Sequence, residues 1–434
     1  MQLTHSRLFH DRRHHRARWP WWVLGIGFLL LYLQGAFRVR VNLVLTDMPG
    51  TQEARFLPAI AGLTTSIITD GHFTNFWSDI DQIFASRLEL IRQAQHTVRF
   101  ETYYMTPGRR ADDLAAAMLE RAAHGVKVAL IVDSQGSLKI PGAYWDKLKA
   151  GGVEVRWFSP FDWKNPRLYN DRSHRKLLLV DGTVAQIGGA GVSDDWDGTA
   201  GKEHTAPWAD LEVRANGPLV PVLEGAFLQH WIHEAGVGDM TPEAFKAPAA
   251  TGHPVLVTLG DPSHGDSNMR TLMHAAILAA RKRLWVASPY FLPNTNARNT
   301  FIEARKRGVE VRILTEGPRN DNPFAYQGAR SSFADLLKAG VEIDEYQPSM
   351  MHAKAILVDD AWMSTGSANF DPRALFHNDE LNVSASDPAL AQQLGAFFTQ
   401  AFAKSHRVTE QDLANRNPLE RAEGGLGYLY RWQL

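Results

Sequence analysis

Cysteine is absent from the 434 residues, so a disulfide framework, a thiolate metal site and a cysteine nucleophile are all excluded. Net charge is nearly absent as well. Lys and Arg number 46 against 47 Asp and Glu, a formal −1, which argues against a surface built to coat nucleic acid. Long apolar runs are scarce too: a single stretch, Trp19 to Phe37, reaches membrane length. Its one strongly polar member is Gln34, and at 1.5 Å per residue it spans roughly the ~30 Å hydrocarbon core. Trp19, Trp21 and Trp22 stand at one end, where indoles favour a membrane interface. A cleaved signal peptide is the competing reading. The run is longer than a usual signal core, and no small-x-small cleavage site follows it. A transmembrane helix is therefore expected. Arg7, Arg12, Arg13, Arg16 and Arg18 precede it and Arg38 and Arg40 follow, which predicts a single pass of the cell membrane with a cytoplasmic N-terminus and an extracytoplasmic body.

What is abundant is internal likeness. VRFETYY (98–104), AHGVKVALIVD (123–133), KAGGVEVRWF (149–158) and HRKLLLVDG (174–182) recur in order as LWVASPYF (284–291), RKRGVEVRILT (305–315), KAGVEIDEY (338–346) and HAKAILVDD (352–360). Short apolar, Gly-bounded runs alternate with helical patterns such as Phe76, Ile80, Phe84, Leu88 and Ile91, which predicts parallel βαβ units. The expected fold class is α/β: two fused domains related by a pseudo-two-fold axis. The boundaries read as a basic tail 1–18, the transmembrane helix 19–37, a linker 38–65, a first half 66–248 and a second half 249–434. The divide falls in the Pro-, Gly- and Ala-rich stretch 246–262.

Each half carries His-x-Lys-x4-Asp: His174, Lys176 and Asp181, then His352, Lys354 and Asp359. On a strand the His and Lys share a face, whereas the Asp falls on the other face or in the following turn. Asp181-Gly182 is a turn signal, so each motif predicts one arm of a hairpin. One such His–Lys pair would be read as a surface pair. Two at matching places in a duplicated chain point to chemistry. Two lysines neutralise the oxygens of a phosphodiester. A neutral imidazole attacks phosphorus, and a second, protonated imidazole serves the leaving alkoxide. No cofactor or metal is needed for such a displacement.

The doubled motif resembles the phospholipase D superfamily over roughly residues 70–405. HRKLLLVDG with GGAGVSDDW and WADLEVRANGP, and SANFDPRAL with NDELN, resemble its bacterial cardiolipin synthase branch. The resemblance implies a phosphohistidine mechanism with His174 as nucleophile and His352 as general acid. It implies a histidine-orienting carboxylate at Asp210 and at Glu380, and structural roles for Asp181 and Asp359. It also implies an anionic phospholipid substrate at a membrane. Ser367 and Asn369 are expected on the phosphate or the neighbouring lysine. Their counterparts in the first half are Gly189 and Gly191, so the two half-sites are not equivalent. Arg373 is a candidate for a second phosphate or for a structural ion pair. Hydrolysis of the phospholipid is one alternative. Another is a membrane-anchored nuclease, which would use Lys164, Arg167, Arg172 and Arg175 with Trp163 and Tyr169 as a basic, aromatic groove. Nothing in the sequence points to an oligomeric state.

Overall fold

The computed structural model describes residues 22–23, 25–27, 29–30, 42–164, 168–199, 204–243, 245–246, 252–261 and 267–433. Most of the expected transmembrane segment, and Arg167, lie outside these. Among the described residues no helix is long and apolar enough to cross a membrane.

The first half contributes strands β1 (Ile67–Trp77), β2 (Thr97–Thr102), β3 (Lys127–Asp133), β4 (Glu154–Phe158), β5 (Arg172–Ser173), β6 (Leu177–Val180), β7 (Val184–Gly188) and β8 (Glu212–Asn216). The second contributes β9 (His253–Gly260), β10 (Arg283–Ala287), β11 (Glu310–Glu316), β12 (Glu342–Tyr346), β13 (Ala355–Val358), β14 (Trp362–Gly366), β15 (Asn378–Ala385) and β16 (Ser405–Arg407). They join in one sheet whose order reads almost the same from either end: β16-β12-β11-β10-β13-β14-β15-β9-β1-β8-β7-β6-β2-β3-β4. The antiparallel β1–β9 pair lies at its centre, where the pseudo-two-fold axis passes. Along that order only the outer βαβ trios, β2-β3-β4 and β10-β11-β12, are parallel; off it, β5 also pairs in parallel with β15. The expected βαβ units form these trios, and the expected motif hairpins insert antiparallel strands beside them.

Alternation along the motif strands builds three layers. Leu178 and Val180 face the helices Arg109–Ala123 and Gly142–Ala150, while Leu177 and Leu179 face the helix Leu219–Ala235. The latter core also takes Ala355, Leu357, Val383 and the helix Pro388–Ala403 of the second half, so both halves share one apolar layer. Each fully buried Leu there contributes about 1.5–3 kcal/mol of burial free energy.

Two stretches read from the sequence as connections turn out to be structural. Phe56–Thr64, inside the expected linker, is a helix that packs Phe56 and Ile60 into the core of the second half, with Phe56 edge-on to Trp362 at 5.6 Å. Residues 253–260, inside the expected divide, form β9 between β1 and β15, because Val255 and Val257 have an apolar layer to enter.

Candidate active site

Both motif histidines immediately precede a hairpin, β6–β7 or β13–β14, and lie at the same end of their half as the C-termini of the parallel strands. Each Asp closes its hairpin at the other end. Asp181 and Asp359 sit in the left-handed region at φ 53° and 51°. Their carboxylates accept backbone N–H bonds from Gln95, His96 and Thr97 in one half and from Arg281, Lys282 and Arg283 in the other, at 2.7–3.2 Å. Both lie at the opposite end of the hairpin from the His–Lys pair. They pin the start of β2 and β10 to the hairpin turns.

The histidines are brought together with carboxylates that cross the axis. His174 Nδ1 lies 3.0 Å from both carboxylate oxygens of Glu380, and His352 Nδ1 lies 2.8 Å from Asp210 Oδ2. Each histidine is thus oriented by the acid of the opposite half. The local cause is a backbone exchange. β5, next to His174, pairs in parallel with Asn378–Asp379, and His174 N donates to Asp379 O. On the other side Ala209 bridges Met351 and accepts from His352 N at 2.7 Å. With Nδ1 engaged by an acid in both rings, Nε2 is the ring nitrogen not held by a carboxylate.

The lysines are buried beside them. Lys176 Nζ donates to His174 O at 2.7 Å, and Lys354 Nζ donates to His352 O at 2.6 Å while lying within 2.9 Å of both ring nitrogens. Burial, then mutual repulsion between the two ammonium groups, holds Lys176 well below the usual lysine range. Burial pulls Lys354 down to about 8, against Asp210 and Glu380, which hold its charge. Burial and the lysines also depress both imidazoles: His174 falls well below 6.5, and His352 falls to about 3 despite Asp210. Both shifts favour the neutral imidazole.

The two acids differ. Burial pushes Glu380 up to about 8, against Lys176 and Ser367. Burial also opposes ionisation of Asp210, but His352, Lys354 and the indole of Trp196 outweigh it and leave its pKa lowered. Their hydrogen-bond donors explain part of the contrast. Ser367 Oγ donates to Glu380 at 2.5 Å, with Asn378 Nδ2 at 3.3 Å. Asp210 instead receives Trp196 Nε1 at 2.9 Å. A Cβ on Gly189 would stand 2.3 Å from Asp210 Oδ1, so the glycine at the serine's counterpart makes room for that carboxylate.

Several expectations change here. Ser367 serves the orienting acid and not a lysine. Asn369 is buried with its Oδ1 unpartnered, and its side chain holds Asp371. Among the described residues Arg373 makes no ion pair. It donates to Asn170 O at 3.1 Å and to Asn170 Oδ1 at 3.4 Å, across the halves. The expected basic groove is dismantled, because Arg172 is fully buried on Asp133, Ser134 and Ser159, and Arg175 is buried against Ala226 O.

Sequence reasoning missed Trp196, Trp208 and Tyr103. The indoles lie 5.1 and 5.7 Å from the His352 ring, and Tyr103 lies 5.1 Å from His174. The WD and TYY segments were visible, but nothing local placed them at the histidines. A buried relay was missed as well. Glu101 accepts from Ser173 Oγ and His230 Nδ1 at 2.5 Å each, and His230 Nε2 lies 3.4 Å from Asp379. Its members come from four separated segments, which no spacing rule connects.

A mixed α/β sheet folded about a pseudo-dyad, with two His–Lys pairs on it, defines a phospholipase D-type phosphodiester site. The chain belongs to the phospholipase D superfamily, in its cardiolipin synthase-like branch. The family model described as "Cardiolipin synthase, PLD-like domain" matches residues 88–196 and 273–402. Cardiolipin synthase A of Pseudomonas syringae is 31% identical over 364 residues, covering 82% of this chain and 72% of the relative. Cardiolipin synthase of Geobacillus thermodenitrificans is 32% identical over 331 residues, covering 75% of this chain and 63% of the relative. The fold is shared with phosphatidylserine synthase of Haemophilus influenzae at TM-score 0.64 and 12% identity, over 87% of this chain and 99% of that one.

Proposed function

We propose that the protein is a phosphatidyltransferase of the cardiolipin synthase type. It moves a phosphatidyl group between two phosphatidylglycerols through a phosphohistidine and releases glycerol. The observation that carries this reading is the pair of crossed, chemically unequal His–acid pairs around two buried lysines. His174, neutral beside a Glu380 whose ionisation burial suppresses, suits attack on phosphorus. Asp210, whose pKa is lowered, stands ready to stabilise an imidazolium at His352 once the substrate's anionic charge offsets the lysine field. His352 then protonates the departing glycerol alkoxide. It takes the proton back from the incoming hydroxyl as that oxygen attacks the phosphohistidine and restores His174.

Purified protein on phosphatidylglycerol vesicles is expected to yield cardiolipin and glycerol, read by lipid mass spectrometry. His174→Asn and His352→Asn are each expected to lower the rate by ~10³-fold or more. Phosphatidic acid as the main product at every lipid density would make the protein a hydrolase. No lipid product but degraded single-stranded DNA would restore the nuclease alternative. We also assign the segment 19–37 as a single membrane pass with the catalytic body outside the cytoplasm. Protease added to intact spheroplasts should digest that body, and full protection until lysis would reverse the topology.

A further inference from the structure

The connections at the histidine end of the two halves are built differently. Leu138 follows β3, and Phe161 and Trp163 follow β4. These connections emerge at the end of the sheet that carries His174, since Glu101 near the end of β2 pairs with Leu177 at the start of β6. All three side chains are exposed, at 70%, 65% and 81%. In the second half the matching connections are Gly317–Asn322 after β11 and Gln347–Met351 after β12, and they expose no large apolar side chain. Arg319, Asn320, Asp321 and Asn322 stand there instead. The difference in length is as marked: fifteen residues separate Phe158 from His174, and five separate Tyr346 from His352.

The apolar tips are tied to the catalytic frame. Phe161 packs edge-on against Tyr169 at 5.3 Å, and Tyr169 lies 4.7 Å beneath the guanidinium of Arg172. Arg172 is locked by Asp133, Ser134 and Ser159 two residues before His174. The same Ser134 bonds Ser159 O, joining the Leu138 connection to the Phe161 connection. Exposed Lys139 and Lys164 flank the tips, and Asp162 between them turns back to cap Lys164 N at 2.9 Å.

We propose that Leu138, Phe161 and Trp163 form a docking surface that inserts into the anionic lipid bilayer and seats the His174 end of the first half on it. An indole, a phenyl and a leucine with two ammonium groups at their margin match the acyl–headgroup boundary, where aromatic rings sit with cations at the phosphate level. The site gives a reason for the surface. The catalytic histidines and lysines are buried, so a diacyl substrate reaches them with least exposure of its chains if that end rests on the bilayer. Nucleic acid is the poorer match. It calls for a row of free cations, and Arg172 and Arg175 are consumed inside the fold. The proposal rests on the phosphatidyltransferase reading for its purpose, but not for its geometry.

The absence of native cysteine makes the test clean. An environment-sensitive fluorophore is attached to Leu138→Cys or Trp163→Cys in the full chain, reconstituted in phosphatidylglycerol-containing vesicles. A third variant, Lys127→Cys, places it at the opposite end of β3. Blue-shifted emission, quenched by nitroxide-labelled lipid, is expected at 138 and 163 and not at 127. Water-like emission at 138 and 163, or equal quenching at 127, overturns the proposal. A response to single-stranded DNA without one to vesicles also overturns it. In a second arm, Phe161→Ser with Trp163→Ser should lower turnover on bilayers roughly tenfold and leave turnover of monomeric dihexanoyl phosphatidylglycerol unchanged. Equal loss on both substrates refutes docking. Should no lipid be turned over at all, the fluorescence arm still decides this surface independently of the reaction.

Discussion

At the scale of single residues the site is a balance of buried charge. Burial first and the two lysines next lower both imidazoles, while Asp210 opposes the shift at His352. The balance sets a pH profile. Lys354, drawn down to about 8 chiefly by burial, is cationic below that pH and loses its charge above it. Glu380, raised to about 8 chiefly by burial, gains a negative charge over the same range. Both changes weaken the hold on an anion as pH rises. The alkaline limb of kcat/KM is therefore expected near pH 8. In the enzyme–substrate complex the phosphate favours the ammonium, so the limb of kcat should lie at higher pH. Parallel profiles of kcat and kcat/KM on monomeric substrate check this. Coincident limbs would mean that neither group senses the phosphate.

The unit that matters among elements is the motif hairpin. Its His–Lys end faces the substrate, and its Asp end holds the next strand by three N–H bonds. Asp359→Ala removes those acceptors and places alanine at φ 51°, so it is expected to cost about 2–4 kcal/mol of stability. Turnover per folded molecule should change little at permissive temperature. Thermal unfolding and active-site titration separate the two effects, and a kcat loss as large as that of His352→Asn would put Asp359 in the chemistry. The hairpin was legible because it is local. His-x-Lys parity, an apolar LLLV and an Asp-Gly turn all act within ten residues. The helix Phe56–Thr64 and strand β9 were not legible as structural elements. Their apolar faces acquire a purpose only against Trp362 and against β1 and β15, which are remote in sequence.

Across the whole molecule the pseudo-two-fold axis turns two incomplete half-sites into one. Each acid leaves its own half to orient the other half's histidine, and the duplicated order of the chain gives no sign of that exchange. The exchange also makes the roles separable. A nitrophenyl phosphodiester, whose leaving group needs no proton, should restore much of the first-step rate to Asp210→Asn. It should restore little to Glu380→Gln, whose partner is the proposed nucleophile. Burst kinetics of nitrophenolate release measure that step. Rescue of Glu380→Gln instead of Asp210→Asn would exchange the two histidines. The crossings are unequal as well. One is apolar, through Ala209, Met350 and Met351, and the other is ionic, through Asp379, His230, Glu101 and Arg175.

The sequence alone determined the chemistry-bearing set: the duplication, the two His–Lys pairs, the two acids and the inequality of Ser367 with Gly189. The duplication and the His–Lys pairs follow from residue type and short-range periodicity, which the chain displays without folding, whereas the acids were implied by the family resemblance. Tertiary structure alone decided which acid serves which histidine, and that Ser367 supports Glu380 while Trp196 supports Asp210. It also decided that Arg172 and Arg175 are internal struts, and that the connections at the histidine end are apolar in one half and polar in the other. Each of these depends on which distant segments share a desolvated volume. In that volume a pairing changes a charge's free energy by several kcal/mol, whereas along an unfolded chain in water the same neighbours leave it almost unchanged.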